Sequence, residues 1–158
     1  MRSLASPAFP GDDGAADPAV RDAVDEYART RQLGGVIEAL GRARVLVPVV
    51  PLAGETPAGG DKEADMAAVM MTGADGRRAL LAFSSLATLR SWDPQARPVP
   101  VTTPDAARAA RSEGASAIVL DVAGPVRVVI ETDDLGHLAD GEVLVRTNLG
   151  LVWSGGRS

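Results

Sequence analysis

The residues able to do chemistry in this chain are few, and most stand alone. There is no cysteine, one histidine (His137) and one lysine (Lys62). Disulfides, cysteine nucleophiles and thiolate zinc sites are therefore excluded, as is any site that needs two imidazoles. A hydrolytic triad has to run through His137, and a Schiff base through Lys62. The densest polar group is Glu131-Thr132-Asp133-Asp134-Leu135-Gly136-His137. Asp133 and His137 stand i, i+4 and could grip a divalent ion from one helix face. The same residues also make an ordinary helix. Thr132 serves as N-cap, Asp133 and Asp134 sit at the positive end of the dipole, and His137 pairs with Asp133 on a solvated face. No further histidine or cysteine is available to complete a transition-metal site, so neither a metal nor a cofactor is expected.

The other polar groups read similarly. Gly11-Asp12-Asp13-Gly14 sets adjacent carboxylates in a glycine-flanked turn, but lacks the spacing of a calcium loop. An Asx-type turn that folds the N-terminal arm back is the simpler expectation. Phosphate-loop signatures are missing, since the sole lysine lies in Asp61-Lys62-Glu63, and Gly114-Ala115-Ser116-Ala117-Ile118 lacks the last glycine of a nucleophile elbow. Arg77-Arg78 reads as a solvated turn tip. Arg42 and Arg44 flank a helix end and a strand start. Phe83, Leu86, Leu89 and Trp92 form an apolar stripe that reads as core. Trp153, in a polar tail, either docks back or is offered to another protein. Asp65, Ser84, Ser85 and Arg97 fall at strand ends, where pockets form in α/β domains. With Asp12, Asp13 and Trp153 they make up the candidate ligand or partner surface.

These groups must be positioned by the elements between them. At 158 residues, 46% hydrophobic and 23% charged, the chain has the makings of one globular domain. Residues 1–16 show no periodicity and read as an arm. Asp17-Pro18 opens a helix whose Val20, Ala23, Val24 and Tyr27 repeat at i, i+3, i+4, i+7. A shorter helix around Val36, Ile37 and Leu40 ends at Gly41. Residues 44–52 read as a strand, and Pro48 and Pro51 argue for an edge or a bulge. Residues 66–72 and 78–83 flank a turn containing Asp75-Gly76 and form a central hairpin. Ser84 or Ser85 caps a short helix, residues 97–101 make a proline-bearing edge strand, and Thr103-Pro104 opens a helix that Gly114 ends. Residues 117–122 are the clearest buried strand, followed by strand 126–130, the helix at Thr132 and a short strand at 142–145. The result is an α/β (mixed α+β) domain over residues 17–146, with a mixed sheet of about five to six strands. Residues 147–158 are expected as a flexible tail.

A family resemblance rests on motifs in order. Pro7-x-Phe9-x-Gly11-Asp12-Asp13-Gly14-x-x-Asp17-Pro18, Ala43-Arg44-Val45-Leu46-Val47-Pro48-Val49-Val50, Asp65-Met66-Ala67, the run from Asp75 to Ser84, Trp92 with residues 96–101, and Asp121-Val122-Ala123-Gly124-Pro125 resemble the N-terminal domain of the SseB family in its actinobacterial single-domain form. The resemblance spans roughly residues 7–140. It implies a cytoplasmic α/β domain with no established activity, no assigned catalytic residues and no cofactor. The longer enteric form carries a second domain, for which no room is expected here.

Composition points the same way. A net charge of −5 and five aromatic residues do not suit a nucleic-acid binder. No apolar run is long enough for a membrane span, and the N-terminus lacks the apolar stretch of a secretory signal. The expectation is a non-catalytic cytoplasmic domain that binds an unidentified protein partner, with homodimer pairing through edge strand 44–52 or 97–101. The alternative is a sensor for an amino acid or related metabolite. A hydrolase using Asp12, Asp13 or the Asp133–His137 segment ranks third.

Overall fold

The computed structural model describes residues 9, 11–51 and 66–155. Among them the chain forms five helices and nine strands. In order these are α1 (Pro18–Thr30), α2 (Gly34–Leu40), β1 (Arg44–Pro51), β2 (Met66–Ala68), β3 (Met70–Thr72), β4 (Arg78–Ala82) and α3 (Leu86–Trp92). There follow β5 (Arg97–Thr102), α4 (Thr103–Ser112), β6 (Ala117–Leu120), β7 (Val128–Ile130), α5 (Thr132–Ala139), β8 (Glu142–Thr147) and β9 (Gly150–Gly155).

The strands group as β2-β1-β5, β3-β4-β6-β7 and β8-β9. All neighbours are antiparallel except β4 and β6, which run parallel. A bridge between Leu46 and Phe83 joins the first two groups, with both N–H···O bonds at 2.8 Å. The expected hairpin is present, but its first arm changes partners at Val69. The Val69 N–H donates to the Pro48 carbonyl and its own carbonyl accepts from Leu81, so β2 pairs with β1 while β3 pairs with β4.

Alternation along β4 and β6 builds the core on both faces. Leu80, Ala82, Ile118 and Leu120 join Val20, Ile37, Leu40, Ala107 and Leu138, which come from α1, α2, α4 and α5. Ala79, Leu81, Phe83, Ala117 and Val119 turn the other way, against Leu89 of α3. The apolar stripe is core as expected: Phe83 and Leu89 are fully buried, and the Phe83 and Trp92 rings lie 5.6 Å apart. On α4, Ala106, Ala107 and Ala110 are buried, which lets the helix sit close to the sheet.

Four expectations are corrected. β1 is an interior strand between β2 and β5, not an edge. Its Pro48 costs no bond to β5, because Leu46 and Pro48 point their backbones toward Phe83 and Val69. The helix caps shift by one residue. Thr102 caps α4, while Thr103 donates its hydroxyl to the Ala43 carbonyl. Glu131 stands at the N-cap of α5, and Thr132 donates to the Ser116 carbonyl instead. His137 pairs with Glu142 rather than with Asp133. The expected tail contains strand β9, in register with β8 from Glu142↔Gly155 to Thr147↔Gly150.

Candidate functional site

β4 and β6 are parallel neighbours, so their C-terminal ends open at the same edge of the sheet, the usual place for sites in such sheets. Ser84 and Ser85 follow β4 there, and Asp121 follows β6. Asp121 is buried and has φ +57, a left-handed conformation that Asp tolerates better than most residues. Its carboxylate takes the Ser84 N–H at 2.8 Å on Oδ1, the Ser84 hydroxyl at 2.6 Å on Oδ2, and the Thr88 hydroxyl at 2.7 Å on Oδ1. Ser85 and Thr88 close a capping box on α3, where Ser85 Oγ accepts the Thr88 N–H at 3.1 Å. Over this floor opens a cleft of about 240 Å³, walled by Arg21, Val24 and Asp25 of α1 and by Pro125 and Val126.

A second polar knot adjoins it. Arg44, its side chain only 10% exposed, grips Asp12 through Nε at 2.7 Å and Nη2 at 3.1 Å. It also donates to the Ser84 and Ala15 carbonyls, both at 2.7 Å. Asp12 takes the Gly14 N–H at 2.8 Å, which makes the expected Asx turn, and Asp13 takes the Ala15 N–H at 2.9 Å. The Arg44 guanidinium lowers the Asp12 pKa, against the opposing pull of burial. Gly14, at φ +86, lies so close to Leu86 that a Cβ there would stand 2.9 Å from the Leu86 Cβ. The Leu86 N–H donates to the Gly14 carbonyl at 2.7 Å. Residues 11–16 are thus strapped onto the domain beside α3.

The third place is the β8–β9 ribbon. Its inner face carries Leu144, which joins the main core, and Trp153, whose ring stacks on His137 at 4.5 Å and 13°. His137 Nδ1–H donates to Glu142 at 3.1 Å. Leu151 lies against Gly34, and Arg146 reaches Glu38 at 2.9 Å. On the other face Val143 lies against Gly41, while Val152 and the tip residue Leu149 are open. Leu149 is 89% exposed and Val152 42%.

The sequence candidates therefore scatter. Ser84 and Ser85 meet at the cleft, Asp12 lies in the adjoining knot, and Asp13 only closes its own turn. Arg97 is exposed at the far end of β5, opposite Val49, whereas Ser84 touches the Arg44 end of the same ladder. Trp153 docks on α5, and Asp65 lies outside the described residues. Asp121 and Arg44 are the organising residues that the sequence reading missed as such. The signal for Asp121 was a carboxylate ending the apolar run Ala117–Leu120. Around the α5 segment, burial raises the Asp134 pKa, partly offset by His137, with Asp133 adding a small push upward. Arg77 donates to Glu131 at 2.8 Å. Among the described residues no three His, Asp or Glu side chains gather where a metal could sit. No helix there is long and apolar enough to cross a membrane.

Fold and sites together define an α+β domain whose polar residues are engaged mainly in tying elements to one another. The model of the SseB protein N-terminal domain matches residues 20–137, and the chain belongs to the SseB family. A search of curated proteins found no match, and neither did a search of solved structures.

Proposed function

We propose that this chain is a non-catalytic protein-binding domain that works in the cytoplasm and docks its partner through the β8–β9 ribbon. The observation that carries this is the exposure of Leu149 and Val152 on an otherwise well-buried chain. Leu149 and Val152 stand on the same ribbon, and apolar side chains exposed together, unlike ones scattered singly, mark surfaces that partners cover. Chemistry is disfavoured by the arrangement of the reactive groups: His137 is stacked and paired on α5, and the Ser84 hydroxyl is bonded to a carboxylate without an imidazole beside it. The cysteine-free composition suits a reducing compartment, and the arginine- and alanine-rich composition suits an actinobacterial member of the family. The test is affinity capture from the native cytoplasm with the wild-type chain and with Leu149→Asp. Proteins retained by the first and lost by the second support ribbon docking, and an identical set from both removes it.

A second reading is favoured by the cleft. Arg21 lines the cleft beside the Ser85 hydroxyl, with Asp25 and Asp121 also in its lining, a mix of charges that suits a small zwitterionic molecule. Thermal-shift screening with amino acids and other small metabolites tests it. A stabilised hit whose effect Arg21→Ala abolishes supports it, and no hit at millimolar ligand ends it.

A further inference from the structure

We propose that β9 pairs, antiparallel and about a two-fold axis, with the β9 strand of a second copy of this chain. This rests on the protein-binding reading of the ribbon and names its partner. Two neighbouring features of the fold show why this strand and not another. β5 is the outer strand of its group, and its backbone groups at Pro98 and Pro100 face outward, because their partners Pro48 and Leu46 point toward β2 and β4. The outer edge of β5 therefore lacks two of the N–H donors that a new strand would need. β9 has no such protection. Its residues Gly150-Leu151-Val152-Trp153-Ser154-Gly155 include no proline and no charge, and among the described strands only β8 pairs with it. β2, β3 and β7 also end their groups, but at three residues each they are too short to hold a partner strand, and β8 lies against α2 and α5.

The choice of a second copy follows from charge. The chain carries −5 overall, and α1 exposes Asp22, Asp25 and Glu26 beside Arg21 and Arg29, so two copies meet with least like-charge repulsion at a seam that carries no charge. β9 can meet itself with no like charges opposite. In the register that sets Val152 opposite Val152, Gly150 and Ser154 face each other across the seam, and two β-branched side chains come into cross-strand contact. Leu144, Leu151 and Trp153 hold the inner face against the domain, which leaves Val152 and, among the described residues, the outer edge of β9 exposed. Pairing turns two ribbons of marginal size into one four-stranded sheet. The contact is small, so the dimer is weak and concentration-dependent.

Sedimentation velocity on the intact chain, from micromolar to near-millimolar concentration, tests this. We expect a monomer–dimer equilibrium with a dissociation constant on the order of 100 µM. The double variant Val152→Lys/Ser154→Lys places four cations at the seam on exposed side chains and is expected to weaken the dimer at least about tenfold. Its circular dichroism should match that of the wild type. Hydrogen exchange needs no variant: amides of residues 150–155 should become more protected as wild-type concentration rises. A monomer at every concentration, a dimer indifferent to the double variant, or exchange in β9 that ignores concentration overturns the proposal. If only monomer is seen while Leu149→Asp still abolishes capture of a cytoplasmic protein, self-pairing is wrong and ribbon docking stands.

Discussion

At the scale of single residues, Arg44 and Asp121 do similar work by different means. Arg44 makes four hydrogen bonds from a nearly buried guanidinium, two to Asp12 and two to carbonyls that local turns leave unpaired. Arg44→Met should cost about 3 kcal/mol, because it strands a carboxylate and two carbonyls at once; urea denaturation will measure it. Asp12→Asn should cost less, about 1 kcal/mol, since the amide oxygen still accepts the Gly14 N–H. The pH dependence of that second loss is informative. The Asp12 pKa is lowered in the folded chain from its ordinary 3.8, so its contribution is present above that value and disappears as pH falls through the folded value. Melting curves of wild type and Asp12→Asn should differ at about pH 6 and converge as pH falls well below 3.8. Asp121→Ala leaves the Ser84 N–H and hydroxyl without their acceptor, while the Thr88 hydroxyl keeps the Ser85 carbonyl at 3.0 Å, and puts alanine at φ +57. A loss of about 3–4 kcal/mol is expected, and Asp121→Asn should recover about half of it, since asparagine keeps one oxygen acceptor and tolerates the left-handed backbone. Neither residue's role could be read from spacing. Arg44 meets Asp12 across 32 positions and Asp121 meets Ser84 across 37, so no local period links them.

At the scale of elements, local chemistry was legible wherever a side chain answers to its own backbone. Asp17 caps α1, Ser85 caps α3 with its box, and the unbroken apolar run Ala117–Leu120 marks a strand buried on both faces. The two caps placed one residue off are cases where neighbouring oxygens compete. Thr102 and Thr103 can each cap α4, and the Ala43 carbonyl decides by claiming Thr103. Pairing was harder to read, because prolines at Pro48, Pro98 and Pro100 look alike in sequence. Only the direction of each missing N–H separates an interior strand from an edge, and that depends on the Leu46–Phe83 bridge and on the switch at Val69. One consequence can be checked. Pro98→Val/Pro100→Val restores two outward donors on β5 while leaving its bonds to β1 intact. The variant should keep its melting temperature within a few degrees yet aggregate faster in light scattering, because the blunted edge is reopened. Unchanged aggregation means these prolines do not protect the edge.

At the scale of the whole molecule, the core divides unequally from the ribbon. Helices α1, α2, α4 and α5 close over one face of the bridged sheet and α3 over the other, whereas β8–β9 hangs on a short set of contacts. These include Leu144 in the core, Val143 at Gly41, Leu151 at Gly34, the Arg146–Glu38 pair and the Trp153–His137 stack with Glu142 behind it. The tail expectation went wrong here because a two-stranded ribbon with turn residues Thr147-Asn148-Leu149-Gly150 is too weak a signal alone; its order comes from α2 and α5, far away in sequence. A domain built this way should open in parts. Trp153→Ala removes the stack and a partly buried indole, a loss of about 2 kcal/mol that falls mainly on the ribbon. Amide exchange over residues 142–155 should therefore quicken by roughly tenfold or more, while amides of β4, β6 and α4 keep nearly their wild-type rates. His137→Ala should shift the same segment by a smaller amount, since it deletes the stack but leaves the indole. Uniform acceleration across the chain would mean instead that ribbon and core unfold as one unit. Docking through the ribbon would then be coupled to the stability of the whole domain, and Leu149 and Val152 could not be changed without cost to the fold.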